Sequence, residues 1–105
     1  MTKIEEFIEI VKQGKYVQAH EVLEEDWKFY RKKGLKPEEK AIQGLINGAT
    51  ALALFFIKKR PTSYEKVWKV FEKYEHYLNV ANLENIEKYI EAKELLLKIN
   101  STIKK

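Results

Sequence analysis

The sequence predicts an all-α fold, a single-domain bundle of about five helices packed around a central apolar third helix. Apolar residues recur at spacings of three and four along nearly the whole chain, and no stretch alternates as a half-buried strand would. One segment, Ala41–Ile57, is apolar around most of its circumference, as befits a helix enclosed by the others. The chain has 105 residues, enough for one core but not two, since a domain of this size buries roughly 60–70% of its surface. Residues 1–105 are therefore read as one domain, with a frayed tail at Ser101–Lys105.

The first helix opens on Thr2 with Glu5 three residues on, a capping-box pattern, and carries the stripe Ile4, Phe7, Ile8 and Val11 as far as Gly14. The second spans about Lys15 to Lys33, with Tyr16, Ala19, Leu23, Trp27 and Tyr30 inward and Gly34 as its stop. Pro37 opens the third at its first turn, where Glu38 and Glu39 meet the positive end of the dipole, and Pro61 ends it. In the third helix the small stripe Ala41, Gly44, Gly48 and Ala51 lets a neighbouring helix, or an aromatic such as Trp27, approach the backbone closely. Thr62 with Glu65 caps the fourth helix, whose inner face is Tyr64, Val67, Trp68, Phe71, Tyr74 and Leu78. A turn at Asn79–Asn82 leads to the fifth, about Leu83 to Asn100, with Ile86, Tyr89, Ile90, Leu96 and Leu97 inward.

Composition excludes several classes. There is no cysteine, which removes disulfides, thiolate chemistry, iron–sulfur clusters and cysteine-ligated zinc, and makes the cytoplasm the expected compartment. The acids Glu5 and Glu6 stand where a signal peptide needs a basic start. Charged residues make up 34%, with Lys and Glu prominent, a balance often met in thermophilic proteins. Residues 1–30 carry four Lys and seven acids, whereas residues 31–73 carry eleven Lys or Arg and four acids. The basic middle does not predict nucleic-acid binding, because Arg31–Lys33 and Lys58–Arg60 each close a helix, where cations meet exposed carbonyls. Ala41–Ile57 lies at the lower limit of a membrane span, but Gln43, Asn47 and Thr50 interrupt it, so no membrane is expected.

The signature of the chain is His20-Glu21-Val22-Leu23-Glu24-Glu25-Asp26-Trp27, followed by Gln43-Gly44-Leu45-Ile46. On an unbroken helix His20, Leu23 and Trp27 share one side with Glu24 at its edge, which sets an imidazole where a core residue belongs. Together with Gly14-Lys15-Tyr16, Ala19 and the Ala-rich continuation Ala49, Ala51 and Ala53, this resembles domain-of-unknown-function family 309, small helical prokaryotic proteins, over about residues 7–78. The family usually has an aromatic and an acid where Val17-Gln18 stand here, and a Gly-Asn turn in place of Arg60-Pro61-Thr62. The resemblance implies a helical bundle with a recurring polar cluster and no established activity.

Taken as chemistry, His20-Glu21-x-x-Glu24 lacks the second histidine of the zinc-binding H-E-x-x-H motif, and the other histidine, His76, falls on the polar side of the fourth helix. No nucleophile or phosphate-binding glycine loop accompanies His20 and Glu24. The reading is therefore of His20, Glu24 and Gln43 hydrogen-bonded to one another beneath Trp27, fixing helix register in a binding or scaffolding module without metal, cofactor or catalytic residue. The alternative is a small enzyme, or a metal- or ligand-binding protein, using His20 and Glu24. Gly14-x-Tyr16-x-x-Ala19 also resembles the turn of a tetratricopeptide repeat, but only half a repeat matches. Six Tyr, five Phe and two Trp exceed what a small core hides, so a protein partner or a homodimer is expected rather than a small molecule.

Overall fold

In a computed structural model of the chain, described here for residues 1–103, six α-helices and one 3₁₀ turn follow in order: α1 (Lys3–Lys12), α2 (Tyr16–Val22), α3 (Glu24–Lys33), α4 (Lys36–Phe56), α5 (Pro61–Tyr74), the 3₁₀ turn Glu75–Asn79, and α6 (Ile86–Asn100). Helices α2 and α3 are divided only at Leu23 and together occupy the predicted second helix, so the five-helix architecture stands, and α4 is its axis, touching α2, α3, α5, α6 and the 3₁₀ turn. No strand occurs among the described residues, and no helix is long and apolar enough to cross a membrane.

Helix α1 forms as its sequence dictates. Glu5 donates its backbone N–H to Thr2 Oγ1 at 3.3 Å while its carboxylate accepts from the Thr2 backbone at 3.0 Å, and Ile4, Phe7, Ile8 and Val11 are all buried. Gly14 at φ +76° and Gly34 at φ +72° end α1 and α3 in the left-handed conformation. Each chain reversal is closed by a pair of bonds, such as Leu35 N–H to the Tyr30 carbonyl at 3.1 Å.

The predicted second helix is interrupted at Leu23. This residue is fully buried with φ −92° and ψ −2°, flattened away from ideal helix, and no proline or glycine marks the spot. The cause is tertiary: α2 packs against both α1 and α4, while α3 leans mainly on α4 and buries no residue fully. Tyr16, Trp27 and Tyr30, expected inside, are half-buried.

Further corrections concern helix ends. Pro61 opens α5 with Arg60 as N-cap and no side-chain cap bond, so the expected Thr62–Glu65 box does not form. Proline suits the first helical position because it has no N–H to leave orphaned. Lys58–Arg60 lie past the end of α4 in the connection, where Lys59 adopts φ +56°, so α4 has no basic residue in its last turn. Helix α6 starts at Ile86 after Asn85 at φ +58°, three residues later than expected. Its buried face is Tyr89, Ala92 and Leu96, whereas Leu97 faces solvent. Val67 and Tyr74 on the fourth rod are only half-buried. Past α6, the Ser101 and Thr102 hydroxyls donate back to the Lys98 and Ile99 carbonyls, and Ile103 packs on the core. Residues 104 and 105 lie outside the described residues.

The small stripe of α4 is filled from the far side of the bundle. A Cβ on Gly44 would stand 3.2 Å from Tyr74 Cβ, and one on Gly48 would stand 2.8 Å from Leu96 Cδ1 and 3.0 Å from Phe71 Cδ1. Helices α5 and α6, not Trp27, use the close approach.

Candidate functional site

His20 sits in the last turn of α2. Its Nδ1 lies 2.6 Å from the Val17 carbonyl oxygen, and since a carbonyl can only accept, Nδ1 carries the proton and leaves Nε2 free as an acceptor in the neutral ring. The ring lines a shallow groove of about 150 Å³ between α2 and the C-terminal half of α4, with Tyr16, Val17, Ala53, Leu54 and Lys58. Thr50 also lines it, but its hydroxyl donates to the Ile46 carbonyl of its own helix at 2.9 Å, so the floor is in effect apolar. A wider hollow shares Tyr16 and Val17 with the groove and continues it past Lys15 to Ile57, which is 52% exposed.

Glu24, Trp27 and Gln43 meet elsewhere. They line a cleft of about 190 Å³ between α3 and α4 with Ile46 and Asn47. Glu24 stands in the first turn of α3, where a carboxylate complements the helix dipole. The Gln43 side chain accepts from Lys40 Nζ at 3.5 Å, and the Asn47 amide donates to the Gln43 carbonyl at 2.8 Å, both along α4. Trp27 lies across this seam with the Arg31 guanidinium 5.2 Å from its ring centre, and its indole N–H is buried without a hydrogen-bond partner among the described residues.

The structure thus brings three of the four sequence-predicted residues together and sends His20 to the neighbouring groove. Among the described residues no hydrogen bond joins His20 to Glu24 or Gln43, and no group of three His, Asp or Glu residues is placed to hold a metal ion. His76 is exposed on the 3₁₀ turn and stacks on Tyr77 at 4.5 Å. Because His20 and Glu24 face different clefts, the stability costs of His20→Ala and Glu24→Ala are expected to add to within about 0.5 kcal/mol in the double variant. Urea denaturation of the three variants measures this, and a larger coupling would show that the two side chains interact.

Two features of the structure go beyond what the sequence predicts. Glu38 is more than the first-turn acid of α4 that the sequence predicts: it is the one buried charged residue among those described, 6% exposed, and its Oε2 accepts the Asn82 backbone N–H at 2.5 Å. A second cleft, of about 360 Å³, gathers Asp26, Phe29, Tyr30 and Tyr89 from α3 and α6 around the start of α1. Asp26 and Tyr30, one turn apart on α3, were its only local signal.

A family model described as "Domain of unknown function (DUF309)" matches residues 4–67, more than half of the chain. The chain belongs to the DUF309 family. The matched span holds α1 through the first half of α5, so the His20 groove and the Glu24–Trp27–Gln43 cleft lie wholly within the DUF309 region, while Glu84 and Tyr89 of the larger cleft lie beyond it. No curated protein and no solved structure matches the chain.

Proposed function

We propose that this DUF309 protein is a protein-interaction module whose groove between α2 and α4 receives an acidic amphipathic helix. The observation that carries this reading is the make-up of the groove. Val17, Ala53, Leu54 and Ile57 supply apolar contact, the cations are Lys15 and Lys58 with His20 beside them, and no carboxylate lines either hollow. Lys59 and Arg60 follow Lys58 directly in the sequence and add to the positive charge of this connection. An apolar strip bordered by one sign of charge suits a helix with apolar anchors at i, i+3, i+4 and i+7 and acids on its flanks. In this reading Glu24, Trp27 and Gln43 hold α3 against α4 and keep the α2 wall in register. The alternative, a small enzyme using His20 and Glu24, needs both groups at one substrate, and they open on separate clefts.

Fluorescence anisotropy with a labelled Leu/Glu amphipathic peptide of about three to four turns tests the proposal. Binding is expected to weaken with salt and to fall by roughly tenfold or more in Ile57→Asp and in Lys58→Glu. Ile57 is exposed, so the first change leaves the core intact. Equal binding of a Leu/Lys peptide would overturn the acidic-partner reading. Sedimentation showing a dimer that dissociates in Ile57→Asp would replace it with self-association of this face.

A further inference from the structure

The cleft of about 360 Å³ where α1, α3 and α6 meet lies apart from the α2–α4 groove, and its chemistry is different. Its walls are Asp26, Phe29 and Tyr30 from α3, Tyr89 from α6, and Lys3 and Glu84 at the rim. Tyr89 is only 7% exposed, lines the cleft, and is joined by no hydrogen bond to another described residue. The hydroxyl is the end of Tyr89 that reaches the open cleft, since it is not among the buried polar atoms left without a partner, and it is free to donate or accept a hydrogen bond there.

The charges around the cleft favour a cation. Burial pushes the Tyr89 phenol up to about 12, with Asp26 and Tyr30 acting in the same direction, so at neutral pH the hydroxyl keeps its proton. Burial also raises Asp26, opposed by Lys3, and raises Tyr30, with Asp26, Glu38 and Glu84 adding to the shift. Asp26 is thus a partly desolvated carboxylate that Lys3 influences from the rim without forming an ion pair: the ion pairs among the described residues are Lys40–Glu39 and Lys88–Glu91, neither in the cleft. The helix ends nearby do not reverse the sign, since the start of α1 is met by Glu5 and Glu6 and that of α6 by Glu84 and Glu87. The Phe29 and Tyr30 rings stand edge-on at 86° with centres 5.1 Å apart, forming two walls, and Phe29 is 53% exposed. The Lys33 ammonium 5.2 Å from the Phe29 ring is an internal example of the contact such a wall offers.

We propose that this cleft binds an organic ammonium group, with the Asp26 carboxylate and the Tyr30 and Tyr89 hydroxyls accepting its N–H donors and the aromatic rings of Phe29 and Tyr30 enclosing its charge. A carboxylate, two phenols and two rings suit a cation that carries N–H and C–H surface better than a metal ion, which demands a fuller set of charged oxygens or imidazoles. The group can belong to a free alkylamine or to a lysine side chain of another protein. Lys3, already at the rim, is its intramolecular competitor.

The probes are n-butylammonium chloride for the free amine, Nα-acetyl-lysine methylamide for the side chain, and the Nε-acetylated form of the latter as neutral control. Calorimetric titration and amide chemical-shift mapping read the result. Both charged probes are expected to shift the amides of Asp26, Tyr30, Asn85 and Tyr89, the tighter one identifying the source. Asp26→Asn is expected to weaken binding roughly tenfold or more. Tyr89→Phe weakens it less, and Lys3→Met strengthens it. Asp26→Asn relieves a desolvated carboxylate and is expected to fold, which thermal unfolding checks. Equal affinity for the neutral control, or unchanged binding in Asp26→Asn, overturns the proposal, and neither result bears on the α2–α4 groove.

Discussion

Gly48→Leu is expected to lower stability by about 3 kcal/mol or more, and the melting temperature by more than about 10 °C. Gly48 faces the point where α5 and α6 both reach the axial helix, and even a methyl carbon there would stand 2.8 Å from Leu96 Cδ1 and 3.0 Å from Phe71 Cδ1. Phe71 and Leu96 are both fully buried, so neither has open space to move into. A leucine adds three carbons beyond that Cβ and must drive α5 or α6 off α4. Gly48→Ala is the informative intermediate. It regains about 1 kcal/mol of helix propensity but asks Leu96 and Phe71 to yield by several tenths of an ångström, so it is expected to cost far less than leucine. Lys88→Leu, on the outer side of α6 with its side chain 42% exposed, is expected to stay within about 0.5 kcal/mol of the parent. Equal losses for Gly48→Leu and Lys88→Leu in urea denaturation would mean that the small stripe does not set the helix spacing.

That stripe also marks where the sequence is legible. Its smallness is local information, and so is the capping box of α1 or the enclosure of α4, because each is written in neighbouring residues at helical spacing. What fills the stripe is not local: Trp27 and the Tyr74–Phe71–Leu96 set are equally good candidates until the path of the chain is known. The polar signature failed for a related reason. Placing His20 beside Trp27 assumes one continuous helix, and the interruption at Leu23 turns the α3 face relative to α2, so His20 faces the groove while Glu24 and Trp27 face Gln43. Leu23 is an ordinary helix former and gives no warning. Thr62 and Glu65 misled in the opposite way: they match a capping pattern, but Pro61 already supplies a favourable helix start one residue earlier. The Asp26 cleft was least legible, since Lys3, Asp26 and Tyr89 come from three distant stretches, and only the closure of α1 against α6 unites them.

Glu38→Ala is expected to cost about 1–3 kcal/mol, several times the cost of Glu39→Ala in the same first turn. Both acids complement the α4 dipole, so the difference isolates what Glu38 does beyond that. Glu38 is buried, and its carboxylate takes the backbone N–H of Asn82 from the segment that links the 3₁₀ turn to α6. That segment has little regular structure, and Leu83, buried next to Asn82, is its main apolar anchor. Removing the carboxylate leaves the Asn82 amide without its acceptor and frees the segment to lift Leu83 from the core. Glu38→Gln keeps an oxygen in reach and is expected to recover part of the loss, the charge-assisted share being forfeited. Hydrogen exchange gives the decisive reading: the Asn82 amide should exchange much faster in Glu38→Ala than in Glu39→Ala, while the centre of α4, enclosed by the other helices, stays protected in both. Unchanged Asn82 protection in Glu38→Ala would show that the segment is held by Leu83 packing alone and that the buried carboxylate contributes only to the start of α4.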